Sequence, residues 1–302
     1  MQKLGGGEMK IHHFIRAVCL LFPAFVICES TSRHVRVKRI VGGAPLEVGQ
    51  WPWLVSLHFR QDHPFTNRTR LRHLCTGSLI HPRWVLTAGH CFDGNEWPTL
   101  NNSRNWVVVL GEHNQYRREV GEQRIRIRRY FVHPEYSARP LLRDFTLIKL
   151  KRRARLTPTV QPIGLDSQGR CDNVGTEVAV AGWGQIAYEP FGWGMFIPLW
   201  VNVTVMRKAP CIRSYDAVPD DDPDKAYYQP RDDTIMCAGT PPGGKDACLG
   251  DSGGPLACFH DDRWLLTAVV STGHDCGHAD YPGLYTMVRP YLDWIQYTMD
   301  NN

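Results

Sequence analysis

From residue 40 onward the chain reads as twelve short segments rich in β-branched and aromatic residues, punctuated by Gly, Pro and Asp. Six fall at residues 53–59, 78–80, 84–88, 106–110, 124–130 and 146–150, and six more at 178–181, 199–205, 235–238, 255–260, 264–271 and 283–288. Segments of this length and residue type are strands. Twelve of them exceed one comfortable open sheet, so a closed or two-barrel all-β architecture is the economical way to remove the edges. A break at residues 156–170 divides the set evenly. The one clear helical pattern, at 290–299, begins on Pro290 and carries Trp294 and Ile295 on its apolar side, which predicts a C-terminal helix. Residues 60–72 and the acidic stretch 218–233, with its VPDDDPDK run, read as long exposed loops.

Composition places this fold outside the cytoplasm. Residues 1–39 hold seven Lys/Arg against two Asp/Glu, leaving 28 against 28 in the remainder, so the formal charge of +5 belongs to the leader. Nucleic acid is therefore not an expected partner. The leader has a cationic start and a 12-residue apolar run, AVCLLFPAFVIC at 17–28, too short to span a bilayer and typical of a secretion signal. We read 1–28 as a signal peptide, 29–39 as a propeptide and 40–302 as one domain of a secreted, extracellular protein. In an oxidising compartment cysteines pair. Beyond the leader there are eight, Cys75, Cys91, Cys171, Cys211, Cys237, Cys248, Cys258 and Cys276, enough for four bridges in any of 105 connectivities. Asn67, Asn101 and Asn202 stand in Asn-x-Ser/Thr acceptors for glycosylation.

A neutral serine hydroxyl is a poor nucleophile and needs a base within hydrogen-bond reach, held in turn by a third group. Ser252 lies in GKDACLGDSGGPL (244–256), His90 in LTAGHC (86–91) and Asp144 in RDFTLIKL (143–150). Each adjoins a predicted strand, where a rigid scaffold can present it.

In that order, LTAGHC, DFTLIKL and GDSGGPL resemble the signature of the chymotrypsin-like (trypsin family) serine proteases. IVGG (40–43), GWG (182–184), MCAG (236–239) and PGLYTMV (282–288) extend the resemblance over residues 40–302. It implies two six-stranded antiparallel β-barrels with the active site between them. It further implies Ser252 as nucleophile, His90 as general base and then acid, Asp144 as the buried orienter, and the amides of Gly250 and Ser252 as the oxyanion hole. Glycine suits position 250 because two donors must aim at one point in a conformation that a Cβ disfavours.

The resemblance also implies a zymogen. Cleavage after Arg39, in the convertase-like RVKR (36–39), frees Ile40, whose ammonium pairs with Asp251. Asp246 matches the carboxylate at the base of the primary pocket, lined with Ala247, Ser271, Gly273 and Gly283, so the expected cut follows Arg, and Lys less readily. Thr76, Thr272 and Asp275 depart from the family pattern. The implied bridges are Cys75–Cys91, Cys211–Cys237 and Cys248–Cys276, and with them Cys171–Cys258, although Val178 occupies the usual place of that bridge's first member. GEHNQYRREVGEQ (111–123) resembles a calcium loop, with ligands from Glu112, Asn114, Arg117, Glu119 and Glu122; catalysis itself needs no cofactor. Arg124, Arg126 and Arg128 alternate along one strand as a solvated face or as an anion-binding surface for an acidic substrate segment or sulfated glycan. Expected partners are protein and peptide substrates, an activating convertase or trypsin-like protease, and protein inhibitors, with no membrane span and a monomeric state. The rival reading is a weak or inactive homologue acting as an extracellular binding protein.

Overall fold

The computed structural model describes residues 42–62, 69–94, 98–185 and 196–302. The expected signal peptide and propeptide, Arg39, Ile40 and Asn67 lie outside these. Two closed barrels organise the rest. The first comprises β1 (Leu54–Asp62), β2 (Thr69–His81), β3 (Trp84–Thr87), β4 (Trp106–Leu110), β5 (Gln123–Val132) and β6 (Thr146–Leu150), antiparallel in the ring order β1-β2-β3-β6-β5-β4. Period-2 alternation sets which side faces in: Ile125 and Ile127 are buried while Arg124, Arg126 and Arg128 are exposed. Trp106, at 0% exposure, fills the interior with Phe92 at 4.7 Å and Phe59 at 5.1 Å.

The second barrel comprises β7 (Glu177–Gly182), β8 (Leu199–Val205), β9 (Ile235–Gly239), β10 (Pro255–His260), β11 (Arg263–Thr272) and β12 (Gly283–Met287). Its ring order, β7-β8-β9-β12-β11-β10, repeats that of the first. The barrels share an apolar seam in which Trp264 of β11 packs 5.1 Å from Trp51 and 6.1 Å from Trp53. Helix α2 (Leu292–Asp300) follows β12, and Tyr291 just before it stacks edge-on at 4.9 Å against Phe145 of the first barrel.

Three expectations change. The stretch 60–72 is not simply a loop: Arg60, Gln61 and Asp62 pair with Leu71, Arg70 and Thr69, so the β1–β2 ladder continues outward as a ribbon. A second helix, α1 (Lys208–Asp216), contributes buried Cys211 and Tyr215. The acidic stretch after it contains a helical turn, Lys225–Tyr227, and its Tyr228 packs on Tyr215 at 5.0 Å. Among the described residues no helix is long and apolar enough to cross a membrane.

Candidate active site

His90 opens a short turn, His90–Phe92, three positions after the end of β3, and Asp144 stands two positions before the start of β6. These strands pair in the ladder, so the barrel fixes the two residues as neighbours. Asp144 has 0% exposure; its Oδ1 accepts the His90 amide and its Oδ2 faces His90 Nδ1, both at 2.8 Å. With Asp144 ionised, Nδ1 must carry the proton, which leaves Nε2 as an acceptor. Burial works against a charged imidazole, but Asp144 outweighs it and raises the His90 pKa above the ordinary value. For Asp144 burial is likewise outweighed, by His90 and by the Ser271 hydroxyl, which donates to Oδ2 at 2.7 Å, and its pKa is held low. Ser271 thus reaches across from the second barrel to steady the first, a contact the sequence reading did not anticipate.

Ser252 shares with His90 a cleft of about 710 Å³ between the barrels. Among the described residues neither the Gly250 nor the Ser252 amide donates to a protein acceptor. The amides of Asp251, Gly253 and Gly254 donate to Cys248, Val270 and Asp251 carbonyls at 2.7–2.9 Å. The loop thereby leaves two donors uncommitted and ties down the rest. Gly250 has φ 100°, a left-handed conformation that favours glycine, and a Cβ there would lie 3.1 Å from Gly184 Cα. Its carbonyl is anchored twice, by Thr76 Oγ1 at 3.0 Å and His73 Nε2 at 2.9 Å. Burial lowers the His73 pKa to about 4, so the ring stays neutral, donating from Nε2 and accepting from Ser56 Oγ at 2.8 Å. The departure at Thr76 therefore has a local use.

Asp246, 3% exposed, forms the floor of the cleft. It accepts the Ala247 amide at 2.8 Å, the Gly277 amide at 3.1 Å and the Tyr285 hydroxyl at 3.4 Å. These do not cancel the cost of burial, which pushes its pKa up to about 7. A Cβ at Gly283 would sit 2.8 Å from the Asp246 carboxylate, so only glycine keeps the access open there. Gly273 lies beside it, a Cβ there falling 3.7 Å from Gly283 Cα, and Thr272 and Asp275 also line the cleft. Asp251 is 0% exposed, accepts the Gly184 amide at 2.8 Å and the Cys248 amide at 3.0 Å, and has its pKa raised to about 6 by burial. No described cation reaches it.

Four bridges join Cys75 to Cys91, Cys171 to Cys258, Cys211 to Cys237 and Cys248 to Cys276. Cys75, His90 and Cys91 come close together, but bridged sulfurs are not thiolates and hold no metal. In the acidic loop 111–123 each of the three glutamates has a protein partner. Buried Glu112 faces His58 Nε2 at 2.9 Å, Glu119 Oε2 accepts the His113 and Asn114 amides at 2.7 and 3.1 Å, and Glu122 is paired with Arg124 at 2.6 Å. Asn101 is exposed, and the partly buried Asn202 donates from Nδ2 to Glu177 at 2.9 Å.

The model of the trypsin family matches residues 40–295. Mannan-binding lectin serine protease 1 of Mus musculus is 32% identical over 271 residues, covering 86% of this chain and 35% of that protein, so the chain spans about a third of this relative's length. The double barrel, the paired His90 and Asp144, and a sequence match over most of its length lead to one assignment: the chain belongs to the trypsin family of serine proteases.

Proposed function

We propose that the chain is a secreted endopeptidase, made as a zymogen, that cleaves after Arg and less readily after Lys through an acyl-enzyme formed on Ser252. The observation that carries the catalytic reading is the imidazole of His90, fixed by Asp144 at 2.8 Å with Nε2 turned acceptor, in the cleft that holds Ser252. In this reading His90 Nε2 takes the Ser252 proton as Oγ attacks the peptide carbonyl. Asp144 stabilises the imidazolium, and the Gly250 and Ser252 amides stabilise the developing oxyanion. The imidazolium then protonates the leaving amine, and a water repeats the sequence to release the acid.

Substrate choice rests on Asp246. A buried carboxylate is costly unless a cation meets it, and an Arg side chain entering past Gly273 and Gly283 supplies one. Arg is preferred because its planar fork donates two hydrogen bonds to a carboxylate, while Ala247 offers no hydroxyl for a lysine ammonium.

Activation follows similar physics at Asp251, whose burial favours an incoming ammonium from Ile40 once Arg39 is cut, by a convertase or a trypsin-like protease. Protein and peptide substrates and protein inhibitors are the partners of such a cleft. Amino-terminal sequencing of the secreted, active protein tests this part of the reading. The expected first residue is Ile40, and an active form beginning earlier contradicts it. Active-site titration of the same sample is expected to count one reactive serine per chain, and none after Ser252→Ala.

A further inference from the structure

The first barrel carries a charged surface for which the reaction has no use. Residues 40–155 hold 19 Lys/Arg against 9 Asp/Glu, and residues 156–302 hold 9 against 19, so a mature chain without net charge is split into a cationic and an anionic half. Much of the cationic excess lies on one outer sheet face. Along β5, Arg124 and Arg126 alternate outward, and an irregularity between Ile127 and Arg129 leaves both Arg128 and Arg129 exposed. On the neighbouring strand Lys149 pairs opposite Arg129, and the amide of Lys151 donates to the Arg126 carbonyl at 2.9 Å. Arg83, from the β2–β3 turn, reaches the carbonyls of Leu150 and Lys151 at 3.5 Å. The cations of three chain segments thus form one continuous surface.

Within the chain this charge is barely answered. Glu122 takes Arg124 at 2.6 Å, and Lys149 donates to the main-chain oxygen of Asn302. Among the described residues, no Asp or Glu carboxylate pairs with Arg83, Arg126, Arg128, Arg129 or Lys151. Desolvation first, then Arg83 and Arg128, pull the Lys149 pKa down, as expected where like charges crowd. Alternate residues on a strand stand about 6.8 Å apart and neighbouring strands about 4.8 Å apart, which makes a regular two-dimensional array of cations. Such an array suits a linear polymer with repeating anionic groups. Guanidinium forks match tetrahedral oxyanions with paired hydrogen bonds. Positions 124, 126, 128, 129 and 149 of the array are all Arg or Lys, and the aromatic rings beside them are capped by these cations, Phe131 by Arg129 at 4.9 Å and Trp84 by Lys149 at 5.3 Å, so the face offers no bare apolar anchor of the kind that centres a protein–protein contact.

We propose that this face of the first barrel binds a sulfated glycosaminoglycan chain, holding the protease to a polyanionic matrix while its cleft stays open. The test is binding of the full secreted chain to immobilised heparin at about 0.15 M salt, repeated at rising salt. Wild type is expected to bind with an affinity that falls steeply with salt. Arg124→Gln/Arg126→Gln/Arg128→Gln is expected to bind about 100-fold more weakly, with unchanged turnover of a short arginyl peptide. No binding by wild type, or equal binding by the triple variant, overturns the proposal. So does equal binding to fully desulfated heparin, or stronger binding to phosphatidylserine vesicles or to an acidic peptide than to heparin. Should the triple variant not be secreted, the wild-type salt series decides: a flat response overturns the proposal, and a steep one with desulfated heparin inactive supports it.

Discussion

The two barrels wind their six strands in the same ring order, yet they differ in charge and in the parts they bring to the cleft. The first holds 19 Lys/Arg against 9 Asp/Glu and presents His90 and Asp144; the second holds 9 against 19 and presents Ser252, the uncommitted amides, Asp246 and Asp251. Topology sets where strand ends fall, and the residues at those ends set the chemistry. Neither half has a complete site. The bonds that cross the seam, Ser271 to Asp144 at 2.7 Å and Thr76 and His73 to the Gly250 carbonyl at 3.0 and 2.9 Å, align each half from the other.

Interdependence of this kind is broken most severely by removing one reacting group from either barrel. Ser252→Ala and His90→Ala are each expected to lower kcat about 10⁶-fold, and the double variant no further, because groups acting as a unit are not additive. Losses that multiply would show the two barrels acting independently. Asp144→Asn keeps the shape but supplies a donor where an acceptor is needed, and an expected loss of about 10⁴-fold in kcat follows from the wrong imidazole tautomer. Asp246→Asn acts in the second barrel alone. It is expected to cost about 10²–10³-fold in kcat/KM toward arginyl peptides, the worth of a buried charge pair at roughly 1.4 kcal/mol per decade. The free protein should gain thermal stability at pH 8, where the native carboxylate is ionised and buried.

Smaller effects refine the comparison. The Asp246 carboxyl, with its pKa pushed up to about 7, must be ionised to hold a cation. Affinity for an aromatic amidine is therefore expected to rise about tenfold per pH unit from pH 5 toward 7 and to level off above, read by calorimetry. A flat profile would place the cation elsewhere. In the first barrel, burial depresses the His73 pKa to about 4; the unfolded ring titrates near 6.5, so the unfolded chain binds the extra proton in between. This group's contribution to stability is fully present above pH 6.5 and is lost as pH falls toward 4. Smallest is Thr76→Val, which removes one of the two bonds to the Gly250 carbonyl. The expected loss in kcat is less than about tenfold with KM unchanged, the worth of one neutral hydrogen bond.

The strands were legible because alternation is local: Ile125 and Ile127 against Arg124, Arg126 and Arg128 announce an inner and an outer side within five residues. The candidate site residues were legible through motifs of a few residues each. What the sequence hid lies in contacts of long separation or weak pattern. Helix α1 buries only Cys211 and Tyr215, too few for an apolar stripe. The ribbon extending β1 and β2 is polar apart from Leu71, so its ladder bonds leave no alternating hydrophobic trace. Ser271 meets Asp144 across 127 positions and Thr76 meets Gly250 across 174. Glu112 meets His58, which is 54 positions away. Thr76 stood out as a departure from the family pattern, but no spacing rule names its partner.

The most direct test of the central claim is the ratio of kcat/KM for otherwise identical peptides with Arg or Phe before the cleaved bond, measured on protein that begins at Ile40. Cooperation of Ser252, His90 and Asp144 with a cation-seeking Asp246 predicts rapid hydrolysis of the arginyl peptide and a ratio of at least about 10², the lower end of what a buried charge pair contributes. Preference for the phenylalanyl peptide, or no hydrolysis of either, would contradict it.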